Sequence, residues 1–307
     1  MNICILTHGR GVFTTGTTVS TKRLVEAATA RGHNVRVINA ALCSLDVSSS
    51  QPKIMYEGED IGMAFDAIIP RIMPSLTGYA AAVLRQFEMN GIYTTARSIA
   101  IVRARDKFRA IQLLAKSNID IPRTIFSRES AKIDSLIEEV GLPAIVKLDK
   151  STQGKGVVIA ETRKAAKSVL QAFYVLDSSV LLQEFIAESE GSDIRAFVVG
   201  NRVVASMKRQ SLTDDFRSNL HQGGHGSAIK LTPEQEKVAL RAAKAMGLQI
   251  CGVDMILSDR GPLVLEVNAT PGIEGIEAVT KRDVADKIIQ YVENNAKKRN
   301  RKDKVGA

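Results

Sequence analysis

The sequence predicts a mixed fold, an α/β layer followed by α+β units. Short apolar runs alternate with helix-period segments over the first hundred residues, and two further strand-bearing regions follow, separated by glycine-rich and polar loops. The length of 307 residues exceeds what one small core fills and suits two or three packed subdomains. Hydrophobic residues at 45% and charged residues at 24% exclude fibrous and largely disordered classes.

In the first region, apolar runs at Ile3 to Leu6, Val35 to Ile38 and Ala67 to Ile69, with a helical period over Ser20 to Arg31, suggest a parallel sheet. Gly9, Gly11 and Gly16 follow the first strand. Thr14 stands where a dinucleotide fingerprint needs its third glycine, so a flexible loop is expected there and not an NAD site. A second region opens near Arg105, where Asp106 can cap a helix through Phe108, Ile111, Leu114 and Ala115. Strands at Ala144 to Leu148, Val157 to Ala160 and Val180 to Gln183, with a helix over Lys164 to Phe173, complete a small α+β unit able to act as a lid. The third region has strands at Ile194 to Val199 and Val203 to Met207 and a long polar loop. Thr232, Pro233 and Gln235 then form a cap, a first-turn proline and a capping box for a helix ending near Gly247. A hairpin follows, Gln249 to Leu257 and Leu263 to Asn268 around the turn Ser258 to Pro262.

That hairpin carries the strongest chemistry. Asp254 and Glu266 are equidistant from Arg260 and so should face each other, with Asn268 on the same side of its strand as Glu266. Two carboxylates directly across a strand pair repel, so the arrangement asks for a cation, and an all-oxygen donor set selects magnesium or manganese over zinc. A solvated polar sheet face, with Leu263, Leu265 and Val267 buried beneath, is the competing reading. The segment Ser151-Thr152-Gln153-Gly154-Lys155-Gly156-Val157 lies between two strands and resembles a hairpin that covers phosphate with backbone N–H groups. It lacks the Ser or Thr and the helix of a P-loop. Lys147 ends an apolar strand just before it, well placed for an α- or β-phosphate. Lys107, in a first helical turn, is weaker. Gln183-Glu184-Phe185-Ile186 and Asp193 can edge an adenine and ribose pocket, with Glu184 or Asp193 accepting sugar hydroxyls. Arg195, Arg209 and Arg217, with Ser218, Asn219 and His221, supply donors for phosphate and carboxylate oxyanions.

The three cysteines, Cys4, Cys43 and Cys251, lie far apart in or near apolar segments, which excludes a disulfide framework and a CxxC knuckle and fits a reducing, cytoplasmic setting. No secretory leader or membrane span is expected. The net charge of +9 concentrates at the end, where Lys297, Lys298, Arg299, Arg301, Lys302 and Lys304 against Asp303 give +5. Such a tail can attract an acidic protein or ribosomal RNA, or simply be a solvated helix end.

In order, Lys107, Lys147, the glycine-rich loop, Gln183-Glu184-Phe185-Ile186, Asp193, Arg217-Ser218-Asn219, Asp254, Glu266 and Asn268-Ala269-Thr270-Pro271-Gly272 resemble an ATP-grasp enzyme. More narrowly, Pro70-Arg71-Ile72, Leu84-Arg85-Gln86-Phe87-Glu88, Ala104-Arg105-Asp106-Lys107, Thr152-Gln153-Gly154, Asp215-Phe216-Arg217-Ser218-Asn219-Leu220-His221 and Glu266-Val267-Asn268 resemble the RimK family across nearly the whole chain. The resemblance implies an ATP-grasp fold with a Rossmann-like pre-ATP-grasp domain at residues 1–103, a central lid subdomain at 104–190, a C-terminal ATP-grasp subdomain at 191–292 and a basic tail at 293–307. It implies an α-L-glutamate ligase acting on the C-terminus of the sixth protein of the small ribosomal subunit. It also implies nucleotide contacts at Lys107, Lys147, Glu184, Phe185, Asp193, Arg217, Ser218 and Asn219, and metal ligands at Asp254, Glu266 and Asn268.

ATP with two magnesium or manganese ions, L-glutamate and an acceptor carboxylate are the expected reactants. Arg217 is expected to steady the oxyanion, Arg209 or Arg195 to orient glutamate, and Gly154, Lys155 and Gly156 to cover the phosphates. A homo-oligomer and ribosome association through the tail are further expectations. A ligase acting on a small-molecule carboxylate and a basic RNA- or ribosome-binding module with a vestigial nucleotide site are the alternatives. The stretch Gly9 to Thr18 and the basic tail depart from the family pattern, which bears on acceptor docking and not on the nucleotide positions.

Overall fold

Residues Ile3, Ile5, Cys4 and Leu6 are all fully buried, on both faces of their strand, and that is the mark of a strand inside a parallel sheet covered on both sides. In the computed structural model, which describes residues 1–8, 18–47, 52–128, 130–148, 156–176, 178–211 and 225–296, this strand is β1 (Asn2–Thr7). It is followed by α1 (Val19–Ala30), β2 (Asn34–Asn39), a meander of β3 (Ser44–Asp46), β4 (Lys53–Tyr56) and β5 (Glu59–Asp60), then β6 (Ala67–Pro70), α2 (Thr77–Met89) and β7 (Tyr93–Thr94). The parallel sheet has the order β2-β1-β6-β7. The meander and α2 were not read from the sequence.

The second region comprises α3 (Ser98–Arg105), α4 (Lys107–Lys116), β8 (Thr124–Ser127), α5 (Ile133–Val140), β9 (Ala144–Leu148), β10 (Val157–Ala160), α6 (Arg163–Val175) and β11 (Val180–Glu184). Its antiparallel sheet has the order β10-β9-β11-β8. Asp106 caps α4 as expected, its side chain accepting from the Arg109 N–H at 2.9 Å. Residues of α5, α6 and this sheet, among them Ile137, Val140, Val146, Leu170 and Leu182, form a core of their own. The helix α4 sits elsewhere: Ala110 and Leu114 belong to the core shared by the first and third regions.

The third region contains β12 (Ser192–Val199), β13 (Arg202–Gln210), β14 (His225–Ala228), α7 (Pro233–Met246), β15 (Ile250–Ser258), β16 (Gly261–Asn268), α8 (Glu274–Thr280) and α9 (Val284–Asn295). Its antiparallel sheet has the order β14-β13-β12-β15-β16. The capping box of α7 is present, with Gln235 N–H donating to Thr232 Oγ1 at 3.2 Å and Thr232 N–H to Gln235 Oε1 at 3.0 Å, and Gly247 closes the helix at φ +71°. One sheet face, through Ile194, Ala196, Val198, Val253 and Met255, packs on Ala239, Ala243 and Met246 of α7. The other, through Phe197, Ala205 and Met207, packs on Ile276 of α8 and Ile288 and Ile289 of α9. The helix α9 also joins α1, where Arg31 pairs with Asp286 at 3.0 Å and Glu293 at 2.6 Å. First and third regions thus share continuous cores, while the second has a separate one.

Among the described residues no helix is long and apolar enough to cross a membrane. Cys4, Cys43 and Cys251 are free and buried.

Candidate active site

The charged end of the third sheet is built by register. Asp254 lies opposite Glu266 on one side and Arg195 on the other, while Asp193 lies opposite Arg209. The expected pairing of the two carboxylates is present, by a different route from the arithmetic that predicts it. The hairpin closes at Ser258 and Gly261, around Asp259 and Arg260, which alone would place Leu265 opposite Asp254. A bulge between Asp254 and Met255 absorbs Leu265 and restores the pair. The bulge has a packing cause. Val264 and Val267, three residues apart, both belong to the core on the α7 side, and a regular strand of period two sends such residues to opposite faces. With Leu265 extruded, both valines face inward and Glu266 faces out.

Asp254 is almost fully buried and is held by two arginines: Arg195 donates through Nε at 2.7 Å and Nη2 at 2.6 Å, and Arg209 Nη2 lies 3.0 Å away. Arg209 also binds Asp193, through Nε at 2.6 Å and a second close bond from Nη2. Burial opposes ionisation of Asp254, but Arg195 and Arg209 outweigh it and hold its carboxyl far below the usual range. Glu266 is exposed to solvent, yet the protein packed around it desolvates its carboxylate. Desolvation and the facing Asp254 push its carboxyl up, so the pair splits its titration, one carboxylate firmly ionised and the other reluctant. Asn268 Nδ2 donates to Glu266 Oε1 at 2.8 Å. Among the described residues no group of three His, Cys, Asp or Glu side chains is placed to hold a metal; this cluster offers two carboxylates and one amide.

Above it stands the second sheet. Lys147 Nζ donates to Gln183 Oε1 at 2.7 Å, and Gln183 Nε2 donates to Thr124 Oγ1 at 2.8 Å, which fixes the amide's orientation. Lys107 Nζ donates to the Leu148 carbonyl at 2.9 Å. Burial pushes the Lys147 ammonium down to about 8, with Glu266 pulling it up and Lys107 repelling it. Lys107, Lys147, Gln183 and Glu266 are thereby brought into one electrostatic neighbourhood. Gly156 ends the glycine-rich segment at φ +70°, a conformation glycine adopts without strain, and its carbonyl accepts from Leu148 N–H at 3.0 Å. Gly154, Lys155, Arg217, Ser218, Asn219 and His221 lie outside the described residues, as do Gly9 to Thr17 and the basic tail from Lys297.

Glu184 ends β11, and its carboxylate accepts from Arg123 N–H at 2.7 Å and from Arg260 at the tip of the β15–β16 hairpin. It therefore ties the second region to the third. Phe185 is half-buried and Ile186 buried beside it. Asp193, expected to accept sugar hydroxyls, is instead 8% exposed and bound by Arg209. Arg195 and Arg209, expected to orient a substrate carboxylate, are likewise taken up by Asp254 and Asp193. Sequence reasoning gave no role to Thr124, or to Arg71 and Arg105, which reach the loop after Asn268: Arg71 Nη1 donates to the Pro271 carbonyl at 2.7 Å and Arg105 Nη2 to Thr270 Oγ1 at 2.8 Å. A charge directly after an apolar strand singled out Lys147, and the same signal was available for Arg71.

Comparison with known proteins places this geometry. Residues 1–101 match the RimK PreATP-grasp domain and residues 104–292 the RimK-like ATP-grasp domain. The "Probable alpha-L-glutamate ligase 2" of Shewanella frigidimarina is 54% identical over 299 residues, covering 97% of this chain and 98% of the relative. The "Probable alpha-L-glutamate ligase" of Hydrogenovibrio crunogenus is 51% identical, covering 98% of each. Among solved structures, the ATP-grasp ligase PsnB complexed with minimal precursor, Mg and ADP aligns with a TM-score of 0.74 at 18% identity, covering 96% of this chain and 98% of that one. The D-alanine–D-alanine ligase of Bacillus anthracis complexed with ATP aligns at 0.68 and 18%, covering 96% and 97%. The fold and the family together define an ATP-grasp carboxylate–amine ligase, an enzyme that uses ATP. The chain belongs to the RimK family.

Proposed function

We propose that this enzyme is an α-L-glutamate ligase that adds glutamate to the C-terminal carboxylate of a ribosomal protein through an acyl phosphate, releasing ADP and phosphate. The observation that carries the reading is the facing of Asp254 and Glu266 within electrostatic reach of Lys147, in a chain 54% identical over nearly its full length to a relative of that name.

A carboxylate resists attack by an amine, and phosphorylation supplies the missing leaving group. The donor set Asp254, Glu266 and Asn268 is all oxygen and fits magnesium or manganese. Such an ion, when bound, neutralises phosphate charge. Lys107 and Lys147 hold phosphate oxygens, with Gln183 orienting Lys147. Phe185 and Ile186 edge the base, with Glu184 beside the sugar. Arg217, Ser218 and Asn219 complete the oxyanion contacts, and Gly154, Lys155 and Gly156 cover the site against water, which would hydrolyse the acyl phosphate. The separate core of the second region supports its movement as a lid. Arg195 and Arg209 serve substrate oxyanions only as far as a cation replaces them at Asp254.

Labelled glutamate, ATP and acceptor proteins with free or amidated C-termini test this. Repeating glutamyl mass increments on the free-carboxyl acceptor alone are expected. Modification confined to small carboxylates, or RNA binding without amino-acid-dependent ADP release, would overturn it. Lys147 offers a second check. A lysine held at about 8 is half protonated at that pH, and a triphosphate favours its charged form. ATP binding at pH 8 is therefore expected to take up a fraction of a proton, seen by calorimetry in buffers of different ionisation enthalpy. In Lys147→Met the uptake should vanish; an unchanged uptake would assign it elsewhere.

A further inference from the structure

The strand order of the first, all-parallel sheet reverses between β1 and β6. From β1 the chain crosses to β2 on one side, and β6 and β7 fill the other. In open α/β sheets ligands settle in the crevice outside the carboxyl ends of the strands at such a point. His8 follows β1 there and Arg71 follows β6, with Arg71 N–H donating to the Leu6 carbonyl at 2.7 Å. Both present a buried nitrogen, His8 Nδ1 and Arg71 Nε, with no hydrogen-bond partner among the described residues. The cavity beside Arg71, about 10 Å³ between Ile69, Pro70 and Ala269, has room for one water at most, so any larger ligand lies outside it.

Arg105 joins Arg71 from the end of α3. Its Nη2 donates to the Ile72 carbonyl at 2.6 Å and to Thr270 Oγ1 at 2.8 Å. Neither guanidinium forms an ion pair among the described residues; their partners are carbonyls and a hydroxyl. Arg71 is pushed down to about 10 by burial, with Glu274 pulling it up and Arg105 repelling it. Glu274 in turn receives a hydrogen bond from Ser20. Two partly buried cations near one loop, neither in an ion pair and only Arg71 drawn on by Glu274, are stabilised when an anion joins them. That loop runs directly on from Asn268, so both guanidinium groups lie at the end of the strand that carries Glu266 and Asn268.

Resting on the ligase reading above, we infer that Arg71 and Arg105 bind the two carboxylates of the incoming glutamate and leave its amine free to attack. The acceptor's carboxylate is consumed in phosphorylation and faces the nucleotide. Glutamate is the reactant with two carboxylates that do not react, which matches two guanidinium groups, and the other candidate pair, Arg195 and Arg209, is occupied by Asp254 and Asp193.

The test uses the full-length enzyme with Arg71→Gln, Arg105→Gln and the charge-keeping Arg71→Lys. KM for glutamate should rise about 10- to 100-fold in the glutamine variants, KM for ATP should stay within about two-fold, and the preference for glutamate over glutamine should narrow. Arg71→Lys should fall between, since it keeps the charge and loses the fork. Without substrate the melting temperature should hold or rise, because the repulsion between two partly buried guanidinium groups has been removed. A drop of several degrees with raised KM for ATP and intact glutamate preference would make the arginines mere loop braces and overturn the inference. Glutarate binding, measured by calorimetry with a nonhydrolysable ATP analogue, separates the two readings. Wild-type protein that binds glutarate through Arg71 but incorporates no glutamate keeps the anion site and sinks the ligase reading. Glutarate binding that is equal in wild type and both glutamine variants sinks the site.

Discussion

Replacing Glu266 by Gln is expected to lower the rate of acyl phosphate formation by about 10²- to 10³-fold and to leave the fold intact. The two halves of that expectation rest on different features. Glu266 faces away from the core, because the bulge at Leu265 turns Val264 and Val267 inward in its place, so no packing is lost. Glutamine has the same shape and still accepts from Asn268. It also removes the repulsion of Asp254 that pushes the Glu266 carboxyl up, so stability should hold or improve slightly. What disappears is one of the two facing carboxylates proposed to hold the metal ion. Hydroxylamine trapping of the acyl phosphate, manganese titration and urea unfolding measure the three quantities separately. Wild-type trapping rates in this variant would remove Glu266 from the metal site.

That Asp254 and Glu266 face each other was legible because a hairpin is local: its register follows from a few residues of sequence. Even so, the midpoint at Arg260 reached the pair only because a two-residue turn and a one-residue bulge offset each other. The bulge was visible in principle, as valines at 264 and 267 fit no strict alternation. Local signals served equally well at Asp106 and Thr232, where side chain and backbone of one short segment decide the cap. The apolar runs of β1 and β6 announced themselves because both faces are buried. Partners far apart in sequence were not legible. Arg195 meets Asp254 across 59 positions, and nothing near either residue says that β12 will pair with β15 in that register. The arginines were accordingly given to the substrate, when the fold first gives them to Asp254 and Asp193. The helix α4 misled in the same manner: its cap is local, but its place in the core of the third sheet is set by tertiary packing.

The occupied arginines make the second large prediction. The Arg209 side chain is buried and serves two buried carboxylates, Asp193 and Asp254. In Arg209→Met, Asp254 keeps Arg195, but Asp193 loses both of its hydrogen bonds from Arg209 and remains buried. Breaking a buried ion pair by removing one member costs about 3–5 kcal/mol, far more than the pair itself contributes relative to apolar replacements. The double variant Arg209→Met with Asp193→Leu should therefore recover most of the loss, to within about 1–2 kcal/mol of wild type. The pH dependence has a definite sign. Removing the guanidinium raises the folded-state value of Asp193 relative to the wild type, so the penalty is present at neutral pH and shrinks as acid protonates the carboxylate. Asp254 in the wild type is depressed, so its contribution is present above the unfolded value and lost only toward strongly acid pH. Urea unfolding at pH 7 and pH 5 should accordingly show a smaller gap between Arg209→Met and wild type at pH 5. A gap that is absent at pH 7, or that widens on acidification, would mean that Asp193 is not held as an ion by Arg209, and that the charged end of this sheet is organised by something other than this pairing.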